Sequence, residues 1–470
     1  MVNCRKMRKI TVDYLCHNII MVLWQKYAHK IRKLKTIDVV NIMNYNECVE
    51  YILSIPKFNK IKSNENCGKI LEKLGNPQDK LKVFHIAGTN GKGSTSAFIS
   101  SILQKMGKQV GLFTSPHLVK INERIKVNNQ DISDQDFLNT ALQIKKTIYS
   151  LFEDEYVPTF FEYIFLIAVT YFAKKNVEYA IFEVGLGGRL DTTNIFEKPL
   201  VSVITSVSMD HMEILGNTIE EIAVEKAGII KRAVPVVYFG DNEKVAKIIE
   251  EKAGSINTRT IKVLSKDISI LGKSNKAIDF SVHNMYDKYG CLTVPFVMEY
   301  QTINATLAIK AIECGLTSEK IDTLAVKEGI KNTVWPGRME QVRENIYLDG
   351  AHNYEGVEQF VKYANEVSKE KDIYIIFSVV KEKEYHLMMD LISTIKNCKG
   401  YFVAPINNSR AVAATDLAEY LRKHVDSFVS SFDSLKAAYD YAMQMKKTED
   451  VLFFVGSLYM VGEAKKLFEA

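Results

Sequence analysis

The stretch VFHIAGTNGKGS, running from Val83 to Ser94, sets an apolar run against a turn that carries three glycines and one lysine. Gly88, Gly91 and Gly93 permit backbone conformations closed to residues with a Cβ, so successive N–H groups can converge on an anion while Lys92 adds a full positive charge. The residues that follow, STSAFISSILQKMGK, have helical periodicity and end at Gly107, which would bring a helix N-terminus to the same anion. Gly88, Thr89, Asn90, Gly91, Lys92, Gly93 and Ser94 are therefore expected to seat nucleotide phosphates. Ile86 stands where the common phosphate loop has its first glycine, and Gly93 takes the Ser/Thr position after the lysine. Any hydroxyl ligand for magnesium must then come from Ser94 or from elsewhere. A glycine-rich turn of structural use alone is the alternative, and the strand, helix and lysine around it favour the phosphate seat.

Composition sets the frame around this loop. A chain of 470 residues, 47% hydrophobic and 25% charged, is globular and long enough for two or three domains, of which two are expected. The net charge of +5 is small and is not gathered into a basic tract beyond the N-terminal segment, so nucleic acid is not an expected partner. An anionic small substrate suits that charge equally well. The cysteines (Cys4, Cys16, Cys48, Cys67, Cys291, Cys314, Cys398) are scattered, odd in number and lack a CxxC pair, which fits a reducing cytosol and a cytoplasmic location. No apolar run reaches the length of a membrane span, and the N-terminus lacks a secretory pattern, so no membrane partner is expected. Residues 1–42 are basic and contain no Ser, Gly or Pro. They form an extension without an assignable role, poorly matched to a serine-rich presequence, and Met43 is an alternative start.

From Tyr45 a helix is expected, then a second one stopped by Gly75-Asn76-Pro77, then the phosphate-seat strand. A short strand Gln109–Phe113 leads to Thr114-Ser115-Pro116-His117. Ser115 sits where a strand ends, the place at which open parallel sheets collect ligands, although alone it reads as a turn-stabilising serine. Helices are expected over Phe137–Tyr149 and Phe160–Ala173, the latter interrupted by Glu162. The apolar strand Tyr179–Val184 contains Glu183 and runs into Gly185-Leu186-Gly187-Gly188-Arg189-Leu190-Asp191. An acid at the end of a buried strand needs a partner, either a cation or Arg189. A further strand, Leu200–Val207, ends in Met209-Asp210-His211, so His211 falls level with Glu183 and Ser115 across adjacent strands; alone it reads as a turn histidine.

The segment TIEEIAVEKAGIIKR opens on a capping box, Thr218 and Glu221. Its apolar stripe holds Ile219, Ile222, Ala223 and Ile230, and Lys226 falls on that stripe. Burial disfavours an ammonium by up to about 3–5 pKa units. Lys226 must therefore snorkel to water, pair with Glu225 or Glu221, or change chemically, as by addition of carbon dioxide to give a metal-binding carbamate. A hairpin is expected around Tyr286–Gly290 and a helix over Gln301–Cys314. From Trp335 a new strand-helix alternation begins, with strands at Ile346–Leu348, Ile373–Val380, Gly400–Ala404 and Val451–Val455. The fold class expected is α/β: an N-terminal P-loop ATPase domain with a mostly parallel sheet over residues 43–333, and a C-terminal Rossmann-like α/β domain over 334–470.

Taken together, GTNGKGS, TSPHL with NERI, EVGLGGRLDTTN, MDH followed by EEIAVEKAGIIK, PGRME and LDGAHN closely resemble the folylpolyglutamate synthase and dihydrofolate synthase family of ATP-dependent Mur-type ligases. The resemblance runs from about Asn44 to Glu463. It implies that ATP phosphorylates a substrate carboxylate and that the amine of L-glutamate attacks the acyl phosphate, with a folate or dihydropteroate as acceptor. It implies ATP at the loop of Gly88 to Ser94 and at Asn304, Arg338 and Asp349. Ser115, Glu183 and His211 would hold one Mg²⁺, and carbamylated Lys226 a second. Lys92, Lys226 and His211 would be catalytic, and Asp191 and Glu162 would face the folate. A monomer is expected. His352 shares the Asp349 motif without an assigned role. The family often has Gly and His just before the helix of Asn304, where this chain has Met298 and Tyr300. A ligase for a nucleotide-linked cell-wall precursor and a nucleotide-binding regulator without catalysis are the other readings; GLGGRLDTTN with PGRME, and the retained Lys92, Glu183, His211 and Lys226, oppose them in turn.

Overall fold

The computed structural model describes residues 43–56, 64–153, 155–381, 384–408 and 410–469. The N-terminal extension 1–42 lies outside the described residues.

Three sheets organise the chain. The first has eight strands: β1 (Lys82–Ala87), β2 (Val110–Phe113), β3 (Ile125–Val127), β4 (Gln130–Asp131), β5 (Tyr179–Glu183), β6 (Val201–Ile204), β7 (Val236–Phe239) and β8 (Thr260–Val263), in the order β4-β3-β2-β5-β1-β6-β7-β8. Its six long-connected strands are parallel, and β3 and β4 add an antiparallel edge. β1 lies at the centre because Phe84, Ile86 and Ala87 are apolar on both faces of the sheet and fully buried, as a strand covered by helices on both sides requires. One face carries the helices Lys92–Lys105, Tyr300–Gly315 and Thr323–Lys331; the other carries Asp134–Phe152 and Phe160–Lys174.

The second sheet is a small antiparallel one, ordered β11-β10-β9, from β9 (Ile268–Lys273), β10 (Ile278–Val282) and β11 (Leu292–Val294). The expected hairpin is the pair β10 and β11, and β9 is a third strand that the sequence reading did not include. The third sheet has six strands: β12 (Glu340–Arg343), β13 (Ile346–Leu348), β14 (Ile373–Phe377), β15 (Cys398–Val403), β16 (Phe428–Ser431) and β17 (Val451–Val455), ordered β12-β13-β17-β14-β15-β16. All neighbours except β12 and β13 are parallel, which gives the Rossmann-like half of an α/β chain. No helix among the described residues is long and apolar enough to cross a membrane.

This arrangement puts the carboxyl ends of β1, β2, β5 and β6 beside one another and turns the start of the helix Tyr354–Val367 towards them. That crevice is where open α/β sheets bind ligands. One sequence expectation changes here. His211 follows β6, which is separated from β5 by β1, so the strands leading to Glu183 and His211 are not neighbours: the phosphate-seat strand lies between them.

Candidate functional site

The loop after β1 is shaped by glycine. Gly88 has φ +147° and Gly91 φ +87°, both in the range where side chains strain the backbone, and a Cβ at Gly88 would lie 1.8 Å from Thr205 Oγ1. Gly93 is needed for space: a Cβ there would meet the Trp335 ring at 2.6 Å. Lys92 is the first residue of the following helix. Its Nζ donates to the carbonyls of Gly88 (3.1 Å) and Thr89 (3.0 Å) and stands 4.0 Å from Glu183 Oε1.

Glu183, at the end of β5, is 4% exposed, and its Oε2 accepts the Ser115 N–H at 3.1 Å. Burial raises its carboxyl above the ordinary range, and Lys92 opposes that rise. Arg189 is not its partner: that guanidinium bonds Glu225 instead, at 2.8 Å. Ser115 and Glu183 are thus brought together by neighbouring strands, as carboxylate and hydroxyl on one wall.

Lys226 is buried, at 4% exposure, in the last turn of the helix Ile219–Ala227. The helix is started by the expected capping box, Thr218 accepting the Glu221 N–H and Glu221 accepting that of Thr218. It stops at Gly228, so Ile230, although buried, is beyond the helix and not part of its stripe. Neither snorkelling nor pairing with Glu221 or Glu225 accounts for the lysine. Glu221 is engaged in the cap, Glu225 in Arg189, and Lys226 Nζ donates to Gly88 O at 2.9 Å. Burial, with a smaller contribution from Lys92, lowers its ionisation to about 7, against the attraction of Asp210. One carbonyl, Gly88 O, therefore gathers both lysines.

His211 stands at φ +53° on the rim, its side chain 47% exposed, with Nε2 3.9 Å from Asp210 Oδ1. The two acids named for the acceptor side have structural partners. Asp191 is buried and accepts from Gly185 N (3.1 Å), Leu186 N (3.0 Å), Thr193 N (2.9 Å) and Thr193 Oγ1 (2.6 Å), which locks the loop 185–191. Glu162 accepts the Thr159 N–H at 2.6 Å and closes a capping box at the start of its helix.

These groups line a cavity of about 540 Å³ that reaches from Gly88–Ser94 to Arg338, His352, Arg410 and Tyr459 on the third-sheet side. A second cavity of about 490 Å³ lies across the same loop and holds Asn304, Tyr300, Asp349, Glu355 and Lys362. Asn90, Gly91, Ser94, Arg338 and His352 line both. Asn304 is fixed by its Nδ2 bond to Gln301 Oε1 at 3.0 Å. Asp349 is buried and accepts Met339 N (2.9 Å) and Ala351 N (2.8 Å); burial raises its carboxyl, and Arg338 opposes the rise. The residues expected at the phosphate, metal, nucleotide and folate positions each line one of the two cavities. Tyr300 as a wall of the second cavity, and Arg410 and Tyr459, which bond each other at 2.8 Å, are outside the set expected from the sequence. These residues carry no local motif that would mark them.

The chain's matches to known proteins follow the same division. The Mur ligase middle domain matches residues 86–312, and the Mur ligase glutamate ligase domain matches residues 337–458. The dihydrofolate synthase/folylpolyglutamate synthase of Bacillus subtilis is 37% identical over 412 residues, covering 85% of this chain and 93% of that protein. The folylpolyglutamate synthase of Lacticaseibacillus casei is 32% identical over 359 residues, 75% of this chain and 83% of that one. Among solved structures, E. coli FolC in complex with DHPP and ADP superposes with a TM-score of 0.78 at 27% identity, covering 91% of this chain and 98% of that chain.

Proposed function

The chain belongs to the folylpolyglutamate synthase and dihydrofolate synthase family of Mur-type ligases, and on that premise we propose how its residues carry the ATP-dependent addition of L-glutamate to a folate or to dihydropteroate. The observation that carries the assignment of roles is the convergence of Lys92, Lys226 and Glu183 on the loop of Gly88, at the junction of two cavities that share Arg338 and His352. The boundary between the two halves is placed at 333/334, just before Trp335.

The second cavity suits the nucleoside of ATP, with Asn304 and Asp349 on its wall, and the loop Gly88 to Ser94 suits its phosphates. The first cavity suits the acceptor, whose carboxylate would lie near Lys92. Glu162 and Asp191 belong to its folate-facing wall, Asp191 by holding the loop 185–191 in shape. In the first step a carboxylate oxygen takes the γ-phosphoryl group and ADP leaves. In the second the glutamate amine attacks the acyl carbon, gives up a proton and releases phosphate. Bringing a carboxylate to a polyphosphate needs positive charge held in place before the reaction, and Lys92 and Arg338 provide it from two sides.

Ser115 and Glu183 fit Mg²⁺: a buried carboxylate with one N–H partner, beside a hydroxyl, is a hard oxygen set facing the phosphate loop. His211, a softer donor, would complete that site from the rim. Mg²⁺, when bound, would neutralise phosphate charge there. A second Mg²⁺ position involves Lys226 as its carbamate, for which burial supplies the neutral amine. A monomeric, cytoplasmic enzyme completes the proposal.

Phosphate release with ATP, magnesium and L-glutamate tests the reading. Release with both dihydropteroate and tetrahydrofolate, each gaining one glutamate by mass, is expected. Release with one alone assigns a single activity, and release with neither, ATP binding being intact, overturns the acceptor assignment.

A further inference from the structure

Asn90, at the tip of the phosphate loop, is held from the other half of the chain. Its Nδ2 donates to Glu355 Oε2 at 2.6 Å and to Asn353 Oδ1 at 3.3 Å. Asn353 Nδ2 returns a bond to Asn90 Oδ1 at 3.0 Å and reaches Asp210 Oδ2 at 3.3 Å. Ser206 Oγ, in the loop after β6, donates to the same Glu355 oxygen at 3.2 Å. Two loops of the first sheet, those after β1 and β6, are thus tied to one helix start.

That helix start is a firm anchor. Asn353 is its N-cap, its Oδ1 accepting the Gly356 N–H at 2.9 Å, and the helix is rooted in the third-sheet core through Val357, Phe360, Val361 and Ala364. A second contact comes from the same direction, since the Trp335 ring leaves no room for a Cβ at Gly93. We propose that Glu355 and Asn353 are positioning residues for ATP: they clamp Asn90, and so set the shape of the phosphate loop according to how the second half is docked. The proposal rests on the reading of that loop as the ATP-phosphate seat. Glu355 and Asn353 act chiefly through Asn90, with Ser206 and Asp210 tied to the same pair, and their loss would loosen the loop without removing a positive charge from it.

The test uses the full chain, three single variants, one double variant and a Trp24→Phe background. Glu355→Ala removes both bonds that its carboxylate accepts. Glu355→Gln keeps an oxygen that can accept them. Asn353→Ser keeps an N-cap oxygen for Gly356 N–H but is too short to reach Asn90. We expect the KM for ATP to rise about tenfold in E355A and N353S, with the KM for L-glutamate changed less than about twofold. E355Q is expected to recover most of the loss seen in E355A, and the E355A/N353S double variant to show less than the product of the two single effects, because both hold Asn90. The thermal midpoint of N353S should fall by at most a few degrees, and a general loosening of the fold would raise the KM for L-glutamate along with that for ATP. Trp335 gives a direct readout: in a Trp24→Phe background it is the one tryptophan of the chain, and its emission should respond to ATP at higher concentration in N353S. Unchanged KM for ATP in N353S, or E355Q as impaired as E355A, overturns the clamp. If E355A does not fold, N353S and E355Q still decide. A wild type without nucleotide-dependent turnover or ATP-dependent Trp335 emission would overturn the phosphate-seat reading instead, a different result from a working wild type with indifferent variants.

Discussion

At Lys226 an amine whose ordinary ionisation lies at 10.5 is brought down to about 7 by burial, with Lys92 adding to the effect. Below pH 7 the folded chain must carry a buried ammonium that the unfolded chain leaves in water, a penalty of roughly 4–5 kcal/mol at about 1.36 kcal/mol per pKa unit. Between pH 7 and 10.5 the unfolded chain binds the proton and the folded chain does not, so this penalty fades and stability rises with pH across that window. Lys226→Met removes the charge, and Gly88 O keeps its bond from Lys92. Urea unfolding without nucleotide, with metals chelated and carbon dioxide removed, should find the variant more stable than the wild type at pH 6, with the difference shrinking by about 3 kcal/mol by pH 9. A difference that does not move with pH would refute the buried cation. The same neutral amine can add carbon dioxide, forming an N–C bond and releasing one proton. Acceptor-dependent phosphate release at pH 8 should therefore fall several-fold in carbon-dioxide-free buffer and return on adding bicarbonate, while K226M stays inactive in both. Indifference of the wild type to bicarbonate would count against the carbamate.

The helix that carries Lys226 shows how an element sets the site. Thr218 and Glu221 fix its first turn, and Lys226 stands in its last, against Gly88 O. Thr218→Ala should lower stability by about 1 kcal/mol, seen as a lower urea midpoint at unchanged slope. No loss, or a changed slope, would show that the cap does not hold this helix in the way the hydrogen bonds indicate. The capping box was legible in the sequence because it depends on residues three apart. So were β1, β5, β6 and the strands of the third-sheet centre, whose runs are apolar on both faces. Of the strands that escaped, β9, β12 and β16 are edges: Glu340–Arg343 and Ile268–Lys273 alternate or are largely exposed, and they become strands only through their partners. β7 escaped although it is buried between β6 and β8, because its apolar run of four residues is too short to be told from the end of the preceding helix segment. The site divided in the same way. Lys92, Glu183 and Lys226 stand out as charged groups in apolar or glycine-rich surroundings. Asn353 and Glu355 read locally as an ordinary helix start, and their meaning comes from Asn90, 263 and 265 residues away.

Across the whole molecule, the two cavities meet at the phosphate loop and are bridged by residues of the third-sheet side. Arg338 follows Trp335 and Gly337, lines both cavities, and packs so closely that a Cβ at Gly350 would lie 2.4 Å from its Nη1. Asn304, by contrast, lines only the second cavity, on a helix packed against the first sheet. If the nucleoside occupies the second cavity and the acceptor the first, the two residues should have separable kinetic signatures. Asn304→Ala should raise the KM for ATP about tenfold and leave that for the folate acceptor within about twofold. Arg338→Ala should raise both and lower kcat as well, because its side chain lines both cavities and, on that division, would meet the charge developing on the transferring phosphoryl group. Initial rates with ATP and acceptor each varied at saturating glutamate would separate the cases. Equal effects of N304A on both substrates would mean that the acceptor extends into the second cavity, and an R338A effect confined to ATP would place that arginine on the nucleotide side alone. Either result would redraw the division of the crevice while leaving the ligase chemistry in place, since Glu183 on β5 and the two lysines, on helices that follow β1 and β6, surround Gly88 without either residue.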